Sequence, residues 1–135
     1  MAGIVRRIIN TPHAPKAIGP YNQAVAVGNT MYLSGQIGLD PSTSKLVDGI
    51  SAQTHQVFKN IKAVLESQNI GFDNVVKTTV LLANMQDYAL VNEIYAKYFT
   101  SNFPARAAYQ AAALPAGALV EIESIAVLGN VTTES

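Results

Sequence analysis

The run Asn102-Phe103-Pro104-Ala105-Arg106-Ala107-Ala108-Tyr109 sets one guanidinium among proline, alanine and aromatic side chains. Arginine keeps its proton in a protein, so in a stretch that reads as built for burial it demands an anion within reach. Two kinds of anion fit. One is an internal carboxylate, Glu121 or Glu123, in the run Val120-Glu121-Ile122-Glu123-Ser124-Ile125-Ala126-Val127. The other is the carboxylate of a small ligand, which the planar fork of a guanidinium grips with two parallel hydrogen bonds. Strand alternation puts Glu121 and Glu123 on one face with Ile125 and Val127, and Val120, Ile122, Ser124 and Ala126 on the other. If 106–113 and 120–127 formed a hairpin, Glu121 would lie about 17 Å from Arg106 along the strand. With another strand between them the gap is about 10 Å, two strand spacings. Neither geometry favours a direct pair within one chain. The second leaves room for a small molecule and a water between a cationic anchor and a base.

Other chemistries are excluded by composition. The 135 residues contain no cysteine, so there is no disulfide frame, thiolate metal site or thiol nucleophile. Only His13 and His55 are available to a histidine-based metal site, and no metal is expected. Net charge is zero, which argues against a general electrostatic grip on nucleic acid. No apolar run approaches the ~20 residues of a membrane span, and no signal-peptide core follows Arg6 and Arg7. A soluble, intracellular chain forming one domain over 1–135 is the expectation.

The elements that must position these residues follow from periodicity. Strands are predicted over Val5–Asn10, Tyr21–Val27 and Thr30–Ser34, with Gly28-Asn29 as a hairpin turn. Gly35, Gly38, Pro41 and Gly49 mark a long irregular stretch. The first helix spans Ser51–Asn69, with Ser51 as N-cap, Gly71 as stop, and Thr54, Val57, Phe58, Ile61, Val64 and Leu65 in one stripe. Val75–Leu82 reads as a central strand. Met85–Phe99 is the second helix, with Tyr88, Val91, Tyr95 and Tyr98 on one side and Glu93–Lys97 as a solvent pair. Strands Arg106–Ala113 and Val120–Val127 complete a βββ-α-β-α-ββ order. Two helices cover only one face of such a sheet. The other face is also mostly apolar, and only 13% of residues are charged, so copies of the chain are expected to pack on it.

Six runs carry a resemblance: Ala17-Ile18-Gly19-Pro20-Tyr21-Asn22-Gln23-Ala24-Val25, Leu33-Ser34-Gly35-Gln36-Ile37-Gly38, Val76-Lys77-Thr78-Thr79-Val80, Val91-Asn92-Glu93-Ile94-Tyr95, Phe103 to Ala108 and Val120 to Val127. Together they resemble the reactive intermediate imine deaminase family (RidA, also YjgF), animal members above all, from about Arg6 to Val127. The resemblance implies a chorismate-mutase-like α+β fold of about six strands with two helices on one face. It implies a homotrimer with sites between subunits, and hydrolysis of 2-enamino and 2-imino acids such as 2-iminopropanoate and 2-iminobutanoate to keto acids and ammonia. Arg106 matches the residue that binds the substrate carboxylate, and Glu121 the acid that orders or activates water. Tyr21 and Ser34 match pocket-lining positions, while Gly35 and Ala108 offer backbone contacts. Many bacterial members have cysteine at the position of Ala108, so a thiol role is absent here. No cofactor is implied, and the cytoplasm is the expected compartment.

Plainer readings stand beside these. Tyr21 can plug the core with its hydroxyl at the rim, Ser34 can be a strand-end turn residue, and Lys77 and Glu123 read as structural or solvated. Neither histidine has an evident partner. Two rival functions are an endoribonuclease that inhibits translation, a link supplied by the resemblance alone, and a non-catalytic trimer that binds small metabolites. The first would normally need paired histidines or lysines for acid–base work, and the chain shows no such pair.

Overall fold

A computed structural model describes residues 3–135 of the chain. Its strands are β1 (Arg6–Ile9), β2 (Ala24–Val27), β3 (Thr30–Ile37), the short pair β4 (Leu39–Asp40) and β5 (Lys45–Leu46), β6 (Val75–Leu82), β7 (Ala105–Gln110) and β8 (Val120–Val127). Helix α1 (Ile50–Glu66) precedes β6, and α2 (Tyr88–Tyr98) joins β6 to β7. One mixed sheet runs in the order β1-β2-β3-β8-β6-β7. Among the described strands only β6 and β7 are parallel, as a helical crossover requires. The βββ-α-β-α-ββ reading holds, with β4 and β5 added as a hairpin in the stretch read as irregular.

Alternation divides every strand between two faces. Met31 and Leu33 on β3, Val80 and Leu82 on β6, and Val120, Ile122 and Ala126 on β8 are buried beneath the helices. The α1 stripe of Val57, Phe58, Ile61, Val64 and Leu65 is buried against them. Phe58 is the centre of an aromatic group, stacked on Tyr98 at 4.5 Å and edge-on to Tyr95 and Phe99. A ring so enclosed stabilises the fold by about 1.5–3 kcal/mol through burial, and truncating it to alanine costs about 3–5 kcal/mol. Among the described residues no helix covers the opposite face. Tyr32 remains 50% exposed there and Ile8 60%.

Several local expectations change. Helix α1 starts one residue before Ser51, and Gly49, at φ +85°, holds the N-cap place without a side-chain cap. It ends at Glu66, and Asn69 (φ +60°) rather than Gly71 takes the left-handed conformation beyond it. Asn84 accepts a hydrogen bond from Gln86 N–H and caps a single 3-10 turn, so α2 proper begins at Tyr88. The surface ion pair among the described residues is Lys62–Glu66 at 3.6 Å, not Glu93–Lys97. At that exposure such a pair contributes little. His55 does have a partner: its Nδ1 lies 2.6 Å from the Tyr98 hydroxyl, which ties α1 to α2. The run around Arg106 differs most. It forms an edge strand whose Ala105, Ala107, Tyr109 and Gln110 are exposed. Among the described residues no helix is long and apolar enough to cross a membrane.

Candidate functional site

The cavity at the β8 carboxylates begins with an irregularity in β3. Leu33 pairs with Ser124 and Gln36 with Ile122, so three steps on β3 match two on β8. The extra residue makes a β-bulge, which re-aims side chains locally. Ser34 and Gly35 thereby turn toward Glu121. A cavity of about 450 Å³ opens over them, walled by Pro15, Lys16, Ile18, Tyr21, Gln36, Ile37 and Pro115, with Glu121 and Glu123 at its edge.

One buried amide holds the outer wall. Gln23 Oε1 accepts from Thr11 N–H at 2.7 Å, and its Nε2 donates to the carbonyls of Thr11, Ala14 and Pro15 at 3.0, 3.3 and 2.9 Å. The Ser34 hydroxyl donates to the Asn22 carbonyl at 2.6 Å, so toward a ligand it can only accept. The Tyr21 hydroxyl accepts from Ile18 N–H at 3.2 Å and keeps its proton free to donate.

Glu121 is partly buried, and among the described residues no cation is bridged to it. Burial raises its carboxyl pKa above the ordinary carboxylate range, and the negative charge of Glu123 adds to the rise. A carboxyl so placed can take a proton from water and return it nearer neutrality than a solvated one.

Arg106 lies elsewhere. β6 does stand between β7 and β8, but Arg106 is in register with Thr78 and Ser124, whereas Glu121 is in register with Leu81 and Tyr109. An offset of three residues puts the two side chains on opposite faces. The expectation of an anchor and a base separated by one ligand therefore fails within a single chain. So does an internal Arg106–carboxylate pair, since no such bridge forms among the described residues. Instead Arg106 Nη2 donates to the Tyr88 hydroxyl at 2.9 Å, and Cζ lies 4.9 Å from the Tyr95 ring centre. Tyr95 is itself fixed by a 2.8 Å hydrogen bond with Thr78. The side chain of Asn92 and then the nearby guanidinium lower the Tyr88 pKa, while burial raises that of Tyr95. Among the described residues no carboxylate meets the fork.

The structure thus brings Tyr21, Ser34, Gly35 and Glu121 together, and leaves Arg106 and Ala108 on the helix-covered side of β7. Sequence reasoning passed over Lys16, Gln36 and Pro115 as lining residues, although Gln36 lies inside a quoted motif. It also took Tyr88 and Tyr95 as core stripe alone. Their spacing of seven, two turns of one helix face, carried no sign that an arginine from another strand would rest on them.

Residues 11–128 match the family described as endoribonuclease L-PSP. The human 2-iminobutanoate/2-iminopropanoate deaminase is 55% identical over all of this chain and 99% of its own length. The Rid-family protein YyfA of Yersinia pestis superposes with a TM-score of 0.90 at 48% identity, covering 92% of this chain and all of the other. TdcF of E. coli, solved with bound serine, gives 0.87 at 35% identity, over 91% of this chain and 99% of the other. A bulged strand beside two carboxylates, an arginine on an edge strand, and relatives matched end to end lead to one conclusion: the chain belongs to the endoribonuclease L-PSP family, the RidA family of imine deaminases.

Proposed function

We propose that this protein is a 2-imino acid deaminase, a hydrolase of C=N bonds, whose working site joins the Glu121 cavity of one copy to Arg106 of another. The observation that carries the reading is the end-to-end likeness at 55% identity to a protein named for that reaction. The division of the site agrees with it. A half-site with a protonable carboxyl and a half-site with a guanidinium fork that meets no carboxylate among the described residues lie on opposite faces, so two copies are needed to bring them to one ligand. The bare sheet face, with Tyr32 and Ile8 exposed, supports a closed homotrimer as the unit that buries it.

In the reaction, Arg106 holds the substrate carboxylate with two N–H donors and so fixes the C=N carbon. Glu121 takes a proton from a water that attacks this carbon and forms a carbinolamine. Returned to the nitrogen, that proton makes the carbinolamine neutral; Glu121 then carries the hydroxyl proton to the nitrogen as the C–N bond breaks, and the keto acid and ammonia leave. An imine is already electrophilic, so the mechanism calls on no cofactor. Tyr21 can donate to the substrate and Ser34 can accept from it.

A pyridoxal-phosphate dehydratase, its amino acid and this protein in one cuvette test the reading. Keto acid should appear faster with the protein present, and an unchanged rate overturns it. Sedimentation equilibrium should give three times the 14.4 kDa chain mass. The family's description favours a second reading, RNA cleavage. With zero net charge and two glutamates at the cavity, binding to generic RNA near physiological salt should be undetectable.

A further inference from the structure

We infer that Gly35 is a positioning residue for Glu121: the space left by its missing side chain is the seat in which the carboxylate lies. The inference rests on the deaminase reading and adds to it what aims the base.

Three glycines show why space is the issue. A Cβ at Gly38 would come 2.8 Å from the Cα of Gln53, so α1 itself would have to move. A Cβ at Gly71 would meet nothing within 4 Å. A Cβ at Gly35 would strike Glu121 Oε2 and lie 2.9 Å from its Cδ and 3.0 Å from its Cγ. Gly35 is not among the residues in the left-handed region, so its backbone does not demand glycine. What yields at position 35 is the end of a flexible side chain, not a helix. The fold survives a methyl group there, and the carboxylate does not keep its place. The β3 bulge brings the Gly35 backbone to this point, and Pro115 and Ile37 close the cavity around it.

Gly35→Ala tests the seat in the assembled, full-length protein. A displacement of about 1 Å at a reacting group costs on the order of 10²-fold in rate, so kcat should fall by about that factor. Pyruvate binding by calorimetry should be unchanged, because the anchor is untouched. The acid limb of the kcat–pH profile should move to lower pH as the carboxyl leaves its sheltered place. In a Glu121→Gln background the same change should add no further loss, as residues acting through one another are non-additive. Gly35→Ala/Glu121→Asp, in which the carboxyl retracts by one methylene, should be no worse than Glu121→Asp alone. Gly71→Ala should leave turnover unchanged. Wild-type kcat in Gly35→Ala, a full additive loss beside Glu121→Gln, or a defect in pyruvate binding alone would each overturn the inference. An NMR titration of the Glu121 carboxyl separates this result from failure of the deaminase reading. If the wild type turned over no imine, a midpoint lowered by Gly35→Ala would still support the seat, and an unmoved midpoint would sink it.

Discussion

Around Glu121 the chain encloses a carboxylate with backbone, proline and aliphatic walls, and sets a second carboxylate two residues away. Around Arg106 it offers two tyrosines, one hydroxyl as acceptor and one ring as a polarisable bed. The first setting disfavours charge and makes a group that can gain and lose a proton. The second tolerates a permanent charge without neutralising it, since a phenol is a weaker partner than a carboxylate. Had Arg106 met Glu121 in one chain, each would have cancelled the other. Placing them on opposite faces of the sheet leaves neither neutralised by the other.

The comparison breaks most severely at the base. Glu121→Gln should lower kcat by about 10²- to 10⁴-fold while pyruvate still binds, as read by coupled kinetics beside calorimetry. In the wild type, kcat should fall as pH drops through a carboxyl pKa above the ordinary range, and this limb should vanish in the variant. Arg106→Lys keeps the charge and loses the fork. A charge-assisted pair is worth roughly 1.5–3 kcal/mol, so kcat/KM should fall about ten- to hundredfold, with sedimentation unchanged. Normal binding and turnover in that variant would remove the anchor from the mechanism. Tyr88→Phe deletes one acceptor and leaves the Tyr95 ring, so a rise in KM smaller than that of Arg106→Lys is expected, with kcat kept. The smallest effect concerns stability. Glu121 has a raised folded pKa, so its ionisation weakens the fold as pH rises through that value, and the contribution is fully favourable only below the ordinary carboxylate pKa. Glu121→Gln should therefore raise Tm at neutral pH and match the wild type in acid.

The two halves were not equally legible. β6 and β8 announced themselves, because buried strands leave continuous or strictly alternating apolar runs. The motifs Gly19-Pro20-Tyr21 and Leu33-Ser34-Gly35 hold residues that line one cavity, because the bulge and loop that unite them are local in sequence. Arg106 was misjudged in its surroundings. Its neighbours look apolar whether they lie in a core or at an exposed edge, and composition cannot tell these apart. The faces of Arg106 and Glu121 depended on the register of two strands separated by β6, which no spacing within either strand encodes. Helix ends were misplaced for a simpler reason: Gly49 and Asn69 supply backbone conformations where Ser51 and Gly71 offered the more familiar signals.

The Gln23 amide reaches only main-chain atoms of the loop it holds: one N–H at Thr11 and three carbonyls. It reads the path of residues 11–15 and is indifferent to their side chains. Pro12, His13 and Lys16 are exposed, and Lys16 faces the cavity. A lineage can therefore exchange the chemistry of this rim one residue at a time while the rim stays where it is. The exposed positions of the loop can thus vary without disturbing the bonds that hold its path.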